Sequence, residues 1–159
     1  MIRTVLLDID GVLTDGAVYV DADGKETKRI LFDDIDAIFE MKRAGLKVGF
    51  ITGENNRFTD WVRQRFQADY FLSGCKDKLE AFKTELEPRG LTSDTTCFVG
   101  DAKRDCALLA YVRHSFAPAD VPEQVLQAAR YRLKSRRGQG VIREVSDFIL
   151  NTLPSLTGA

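Results

Sequence analysis

Short apolar runs alternate along the chain with stretches whose apolar residues recur every three or four positions, the pattern of a parallel sheet covered by helices. Residues 4–9 (TVLLDI), 46–51 (LKVGFI), 70–72 (YFL), 96–99 (TCFV) and 115–117 read as strands, with 115–117 the last of them. Residues 17–20 and 27–32 flank Asp21-Ala22-Asp23-Gly24, a turn sequence, and predict a β-hairpin after the first strand. A helix is expected over 35–44, where Ile35, Ile38 and Phe39 share a face and Gly45 suits the C-cap; another is expected over 57–66. Further helices are expected over 76–86, ended by Pro88 and Gly90, and over 104–112, 122–129 and 141–153, with the final residues fraying. No internal repeat, low-complexity tract or linker breaks this pattern. The expectation is one doubly wound, Rossmann-like α/β domain over residues 1–159.

Composition narrows the picture. With 44% hydrophobic and 30% charged residues in 159, this is an ordinary globular chain able to bury a core. A net charge of −1 provides no field to gather it onto nucleic acid or an anionic membrane. The opening MIRTVLLDID turns acidic too soon for a signal peptide, and no apolar run approaches the roughly 18 residues of a membrane span. Cys75, Cys97 and Cys106 are odd in number and form no CxxC pair, which favours reduced, buried thiols. A cytoplasmic protein acting on something soluble is expected.

Ligands of open α/β sheets bind at the carboxyl ends of the strands, and four such ends carry reactive groups. Asp8-Ile9-Asp10-Gly11 places two carboxylates side by side as the first strand ends. They repel unless a cation lies between them, and a hard divalent ion with oxygen ligands is the natural one. Asp and Gly also make ordinary turns. Thr52-Gly53 ends the second core strand, where a hydroxyl and an unobstructed backbone can meet a phosphoryl oxygen; Thr-Gly also simply ends strands. Lys78, near a helix start, opposes the helix dipole unless an anion faces it, or is a solvated surface lysine. Gly100-Asp101 ends the TCFV strand with Asp105 four residues on. Asp101 can complete a metal site or cap a helix, and Asp105 can hold Lys78.

DIDGVLTDG (8–16), ITG (51–53), the lysine of KDKLEAF (76–82) and GDAKRD (100–105) resemble the four motifs of the haloacid dehalogenase superfamily. The resemblance runs through nearly the whole chain. It implies a phosphatase in which Asp8 attacks phosphorus and Asp10 is the general acid and base. It further implies that Thr52 and Lys78 hold the phosphoryl group, and that Mg²⁺ bridges Asp8, the backbone carbonyl of Asp10, and Asp101. Only 41 residues (11–51) separate Asp10 from Thr52, room for the hairpin and a helix but not for the cap domain common in that superfamily. The site is then open to a large substrate or covered by a neighbouring subunit.

The hairpin and the segment SRRGQGVIRE (135–144) resemble the branch acting on 3-deoxy-D-manno-octulosonate 8-phosphate and related nine-carbon sugar acid phosphates. That implies a homotetramer whose neighbours complete each other's sites, with Arg143 of the RE pair, Gly53 and Glu54 among the substrate-binding residues. Several positions depart from this branch. Glu54 stands where ITGR is usual and looks more like the nine-carbon relatives, Ala37 replaces a glycine, Ala102 replaces the second acid of GDD, and SRRGQG replaces GGRG. These departures leave the reaction intact and the substrate open, with a broader set of small phosphate esters as the alternative.

Arg130, Arg132, Lys134, Arg136 and Arg137 form a basic cluster that reads as a charge-guarded edge strand or a subunit-interface patch for an acidic sugar phosphate. No aromatic platform accompanies it, so nucleic acid is not an expected partner. His114 receives no role, and Trp61 reads as packing or an oligomer contact. A receiver domain also uses acids, a Thr and a Lys, but its Thr and Lys follow the acceptor Asp, whereas Thr52 and Lys78 precede Asp101. A silent scaffold would not need all five of Asp8, Asp10, Thr52, Lys78 and Asp101. A phosphomutase would need a cap to exclude water.

Overall fold

A computed structural model describes residues 1–152. The central strand, β1 (Thr4–Leu7), is buried along its whole length. A hairpin follows, β2 (Tyr19–Val20) and β3 (Glu26–Thr27), then α1 (Phe32–Arg43), β4 (Lys47–Ile51), α2 (Arg57–Phe66), β5 (Tyr70–Leu72) and α3 (Lys78–Ala81). The second half runs β6 (Thr96–Val99), α4 (Cys106–Tyr111), β7 (His114–Ala117), α5 (Glu123–Ala128), β8 (Tyr131–Arg132) and α6 (Val141–Asp147). Six strands form one parallel sheet in the order β5-β4-β1-β6-β7-β8.

Alternation along β1 sorts the core into two layers. Val5 and Leu7 pack with Ile38 and Met41 of α1, Val62 and Phe66 of α2 and Val145 of α6. Leu6 faces the other way, toward Ala81, Leu108, Leu109 and Val125 of α3, α4 and α5. Helices therefore cover both faces, as a sheet with two apolar faces requires. Among the described residues no cap domain interrupts the sheet, and no helix is long and apolar enough to cross a membrane.

Local chemistry sets several boundaries. Asn56 and Thr59 form a reciprocal capping box at the start of α2, Thr59 N–H donating to Asn56 Oδ1 at 3.1 Å and Asn56 N–H to Thr59 Oγ1 at 2.9 Å; such caps contribute about 1 kcal/mol. Asp33 and Asp34 fill the first turn of α1. That helix consequently starts at Phe32, ahead of the apolar residues that predicted it from residue 35.

Other expectations shift too. The hairpin ladder is only two residue pairs long, because the chain leaves it at Lys28, whose side chain turns inward. A single bridge, Thr14 to Ile30, then ties the second arm to the base. The 76–86 helix splits: α3 widens into a π-type turn over Phe82–Leu86 and a 3-10 turn over Glu87–Arg89. Residues 115–117 are not the last strand, since β8 pairs with β7 at the sheet edge and carries part of the basic cluster. Cys97 is buried, whereas Cys75 and Cys106 are half-buried, and all three are free thiols. Helix α6 continues as a wider turn over Phe148–Thr152. The expected end of that helix at residue 153, and the fraying beyond it, lie outside the described residues.

Candidate active site

β1 lies between β4 and β6, so the chain reverses direction across the sheet there, and the carboxyl ends of these strands open one cavity. The cavity measures about 180 Å³ and is lined by Asp8, Asp10, Thr52, Lys78 and Asp101, together with Gly16, Gly53, Glu54, Ala102, Arg104 and Arg137. The four strand-end motifs therefore meet at one place.

The first motif is tied from inside. Thr14, fully buried, accepts the N–H groups of Gly11 and Gly16 on Oγ1, each at 3.2 Å, and its own N–H closes a turn on the Ile9 carbonyl at 3.1 Å. Gly11 has φ +85°, and a Cβ there would collide with the Asp101 carboxylate. Asp8 is anchored through its N–H to the Val99 carbonyl at 3.0 Å, and its Oδ1 accepts Ile9 N–H at 2.8 Å.

Lys78 is 1% exposed, and its Nζ lies 3.0 Å from Asp8 Oδ1 and 2.6 Å from Asp105 Oδ1. Asp77 caps the helix beneath it, accepting Glu80 N–H at 3.0 Å. Burial works to lower the Lys78 pKa, but the Asp8 and Asp105 charges outweigh it and hold the ammonium protonated beyond the ordinary lysine range. Asp105 Oδ2 accepts the N–H groups of Asp101 and Ala102 at 2.9 and 3.0 Å. The acceptor at this helix start is thus Asp105, and the Asp101 carboxylate stays turned to the cavity. Thr52, also 1% exposed, is set by its N–H on the Leu72 carbonyl at 2.9 Å.

Oxygen atoms of Asp8, Asp101 and Asp105 lie within 4.8 Å of one another, all buried. Burial raises the Asp8 pKa well above the usual carboxylate range; Lys78 opposes this, and the Asp105 and Asp101 charges add to it. Burial likewise raises Asp101. With Asp105 occupied by Lys78 and two amides, Asp8 and Asp101 remain as crowded hard oxygen donors short of positive charge. That donor set fits a divalent cation.

Three cations that the sequence did not place at the site reach this region. Arg137 Nη1 approaches Asp101 Oδ2 at 3.7 Å, while Asp120 holds the same residue through the Arg137 N–H (2.8 Å) and Nε (3.4 Å). Arg104 Nη1 lies over Gly53, where a Cβ would stand only 2.7 Å from it. Lys28, from the hairpin, pairs with Asp10 Oδ1 at 2.6 Å. Arg137 belongs to the basic cluster, whose charge gave the only signal in the sequence; Arg104 and Lys28 gave none.

Arg143 does not join the site within one chain. Its guanidinium is engaged by Asp33 Oδ1 at 2.9 Å and by Glu40 Oε2 at 2.5 Å, and its N–H donates to Asp34, so it rivets α6 to α1. Glu144, the second residue of the RE pair, instead accepts the N–H groups of Lys134 and Ser135 at 2.9 and 3.0 Å and shapes the loop that carries Arg137. His114 is buried on β7 and stacks on Tyr131; Trp61 stacks on Phe58 and stays 44% exposed.

Comparison with known proteins follows the same lines. Residues 71–145 match a family described as haloacid dehalogenase-like hydrolase. The 3-deoxy-D-manno-octulosonate 8-phosphate phosphatase of Haemophilus influenzae is 33% identical over 153 residues, 94% of this chain and 83% of that protein. Its counterpart from Yersinia pestis is 30% identical over 158 residues, 99% of this chain and 84% of that protein. Among solved structures, the cobalt-bound deoxy-D-mannose-octulosonate 8-phosphate phosphatase from Haemophilus influenzae matches with a TM-score of 0.87 at 30% identity, over 99% of this chain and 90% of that one.

Proposed function

Since the chain belongs to the haloacid dehalogenase-like hydrolases and is a phosphoric monoester hydrolase, we propose that it is a Mg²⁺-dependent phosphatase of an acidic sugar phosphate, acting through an aspartyl phosphate on Asp8. The observation that carries this reading is the Asp8–Lys78–Asp105 arrangement beside Asp101, a buried nucleophile with a fixed cation and a second carboxylate.

Asp8 and Asp101, with the backbone carbonyl of Asp10, would hold the ion. When bound it supplies positive charge that lets a carboxylate approach a phosphoryl dianion. In the first step an Asp8 oxygen bonds to phosphorus, the ester P–O bond breaks, and Asp10 protonates the departing alkoxide. In the second, Asp10 takes a proton from water, the water oxygen bonds to phosphorus, and the Asp8–phosphorus bond breaks to release phosphate. Thr52 Oγ1, Gly53 N–H and Lys78 Nζ are the donors for the phosphoryl oxygens. Asp105 keeps Lys78 in place.

The substrate is a 2-keto-3-deoxy sugar acid phosphate of eight or nine carbons. Both relatives are named for the eight-carbon substrate. Glu54, at the cavity, offers a carboxylate to sugar hydroxyls, and Arg104 and Arg137 offer cations to the acid group. The working form is a homotetramer in the cytoplasm, with a neighbour covering the open cavity. Support for this comes from Val18, Tyr19, Val20 and Phe32, which stand 46%, 48%, 58% and 80% exposed around the hairpin, an apolar surface suited to a second copy. A turnover screen with Mg²⁺ across eight- and nine-carbon keto-sugar acid phosphates, hexose phosphates and nucleotides tests the substrate. A preference of at least tenfold for one sugar acid phosphate is expected, and equal slow turnover of all would contradict it.

A further inference from the structure

The hairpin touches the site through one side chain. Lys28 Nζ lies 2.6 Å from Asp10 Oδ1, and the same ammonium sits 4.9 Å above the ring of Phe58 on α2. Only 14% of the Lys28 side chain is exposed, so it is held between the ring and the carboxylate. The next residue, Arg29, points elsewhere: its Nη1 donates to the Gly138 carbonyl at 3.0 Å and ties this arm of the hairpin to the Arg137 loop.

Asp10 itself has little else to hold it. Its side chain is 35% exposed, and among the described residues Lys28 is the one group bonded to its carboxylate. A half-exposed carboxylate on a turn would otherwise sample several rotamers. Lys28 does not line the cavity, so any effect it has on the reaction passes through Asp10.

We propose that Lys28, braced by Phe58, is the positioning residue of the acid/base group: it fixes Asp10 Oδ1 and leaves Oδ2 to exchange protons in the cavity. This rests on the reading of Asp10 as the general acid and base. The hairpin thereby becomes part of the catalytic apparatus as well as a surface for assembly.

The test compares wild type, Lys28→Met, Lys28→Arg and Phe58→Leu with Mg²⁺ on two aryl esters. p-Nitrophenyl phosphate has a leaving group that departs without a proton, whereas phenyl phosphate needs one. For Lys28→Met the first-turnover burst of nitrophenolate should survive while steady-state turnover falls about tenfold or more, within the range that a general acid/base contributes. The ratio of kcat/KM for the nitrophenyl over the phenyl ester should widen about tenfold. Lys28→Arg should return both readouts to within about threefold of wild type. Phe58→Leu should widen the ratio in the same direction and serves if Lys28→Met does not fold. Equal loss of kcat/KM on both esters, or no widening of that ratio in any folded variant, overturns the proposal. Asp10→Asn separates the two ideas. If it keeps wild-type turnover, the acid/base reading falls and this proposal with it; if it is inactive while Lys28→Met behaves like wild type, only this proposal falls.

Discussion

Lys78 and Asp105 face each other at 2.6 Å with 1% and 0% of their side chains exposed, and the same ammonium reaches Asp8 at 3.0 Å. One buried cation thus links the nucleophile to a carboxylate that also fastens the backbone of Asp101 and Ala102. The ends of β1 and β6 and the start of α3 are locked together by charge at a buried place, where solvent screens it little.

Removing Asp105 should therefore cost both stability and turnover. In Asp105→Ala, Lys78 loses its nearest anion, and the Asp101 and Ala102 N–H groups lose their acceptor. We expect a loss of about 3 kcal/mol in folding stability by denaturant titration, as for other broken buried pairs, and a kcat lower by roughly ten- to a hundredfold. A variant as stable as wild type would show that the pair carries little.

Asp34 should set a pH dependence of stability away from the site. Burial pushes it up to about 6; the Arg143 N–H opposes this, and the Asp33 charge adds to it. Its proton is thus bound more tightly in the folded chain than in the unfolded one. The resulting stabilisation is present below the unfolded value near 4 and disappears as pH rises through about 6. Asp34→Asn keeps an acceptor for the Arg143 N–H but removes the charge. The variant should melt higher than wild type at pH 8, by at most about 3 kcal/mol, and the advantage should vanish by about pH 4. Parallel melting curves at all pH values would refute this.

Oligomer assembly through the hairpin makes a third expectation. Native mass spectrometry of the wild type should give a tetramer. Val20→Glu combined with Phe32→Glu charges the exposed surface and should give monomers with an unchanged far-ultraviolet circular dichroism spectrum. A monomeric wild type would remove the neighbour from the account.

The fold and the meeting of the four motifs were legible because both follow from local signals. Runs such as TVLLDI and TCFV mark central strands, and in a doubly wound sheet the residues that end them converge whatever the loops do. Asp8, Thr52, Lys78 and Asp101 needed nothing more to be placed around one cavity. Arg104 and Lys28 were not readable, and Arg137 only as one charge of a cluster, because each arrives along a loop or hairpin whose path is set by tertiary contacts, such as Asp120 on Arg137 and Phe58 under Lys28. Arg143 went the other way. Its place in a motif pointed to the cavity, yet Asp33 and Glu40 of α1, more than a hundred residues away in sequence, engage its guanidinium. β8 was legible only as one of two readings of the basic cluster, a charge-guarded edge strand, because a two-residue strand among arginines carries no hydrophobic pattern.

Hydrolysis of p-nitrophenyl phosphate with Mg²⁺, by wild type and Asp8→Asn side by side, shows whether Asp8 is the nucleophile. Asn at this position keeps the shape and the Ile9 N–H contact but cannot form the phosphoryl bond. Mg²⁺-dependent turnover is expected of wild type, with a loss of about a thousandfold or more in the variant. Equal turnover by the two proteins would contradict it.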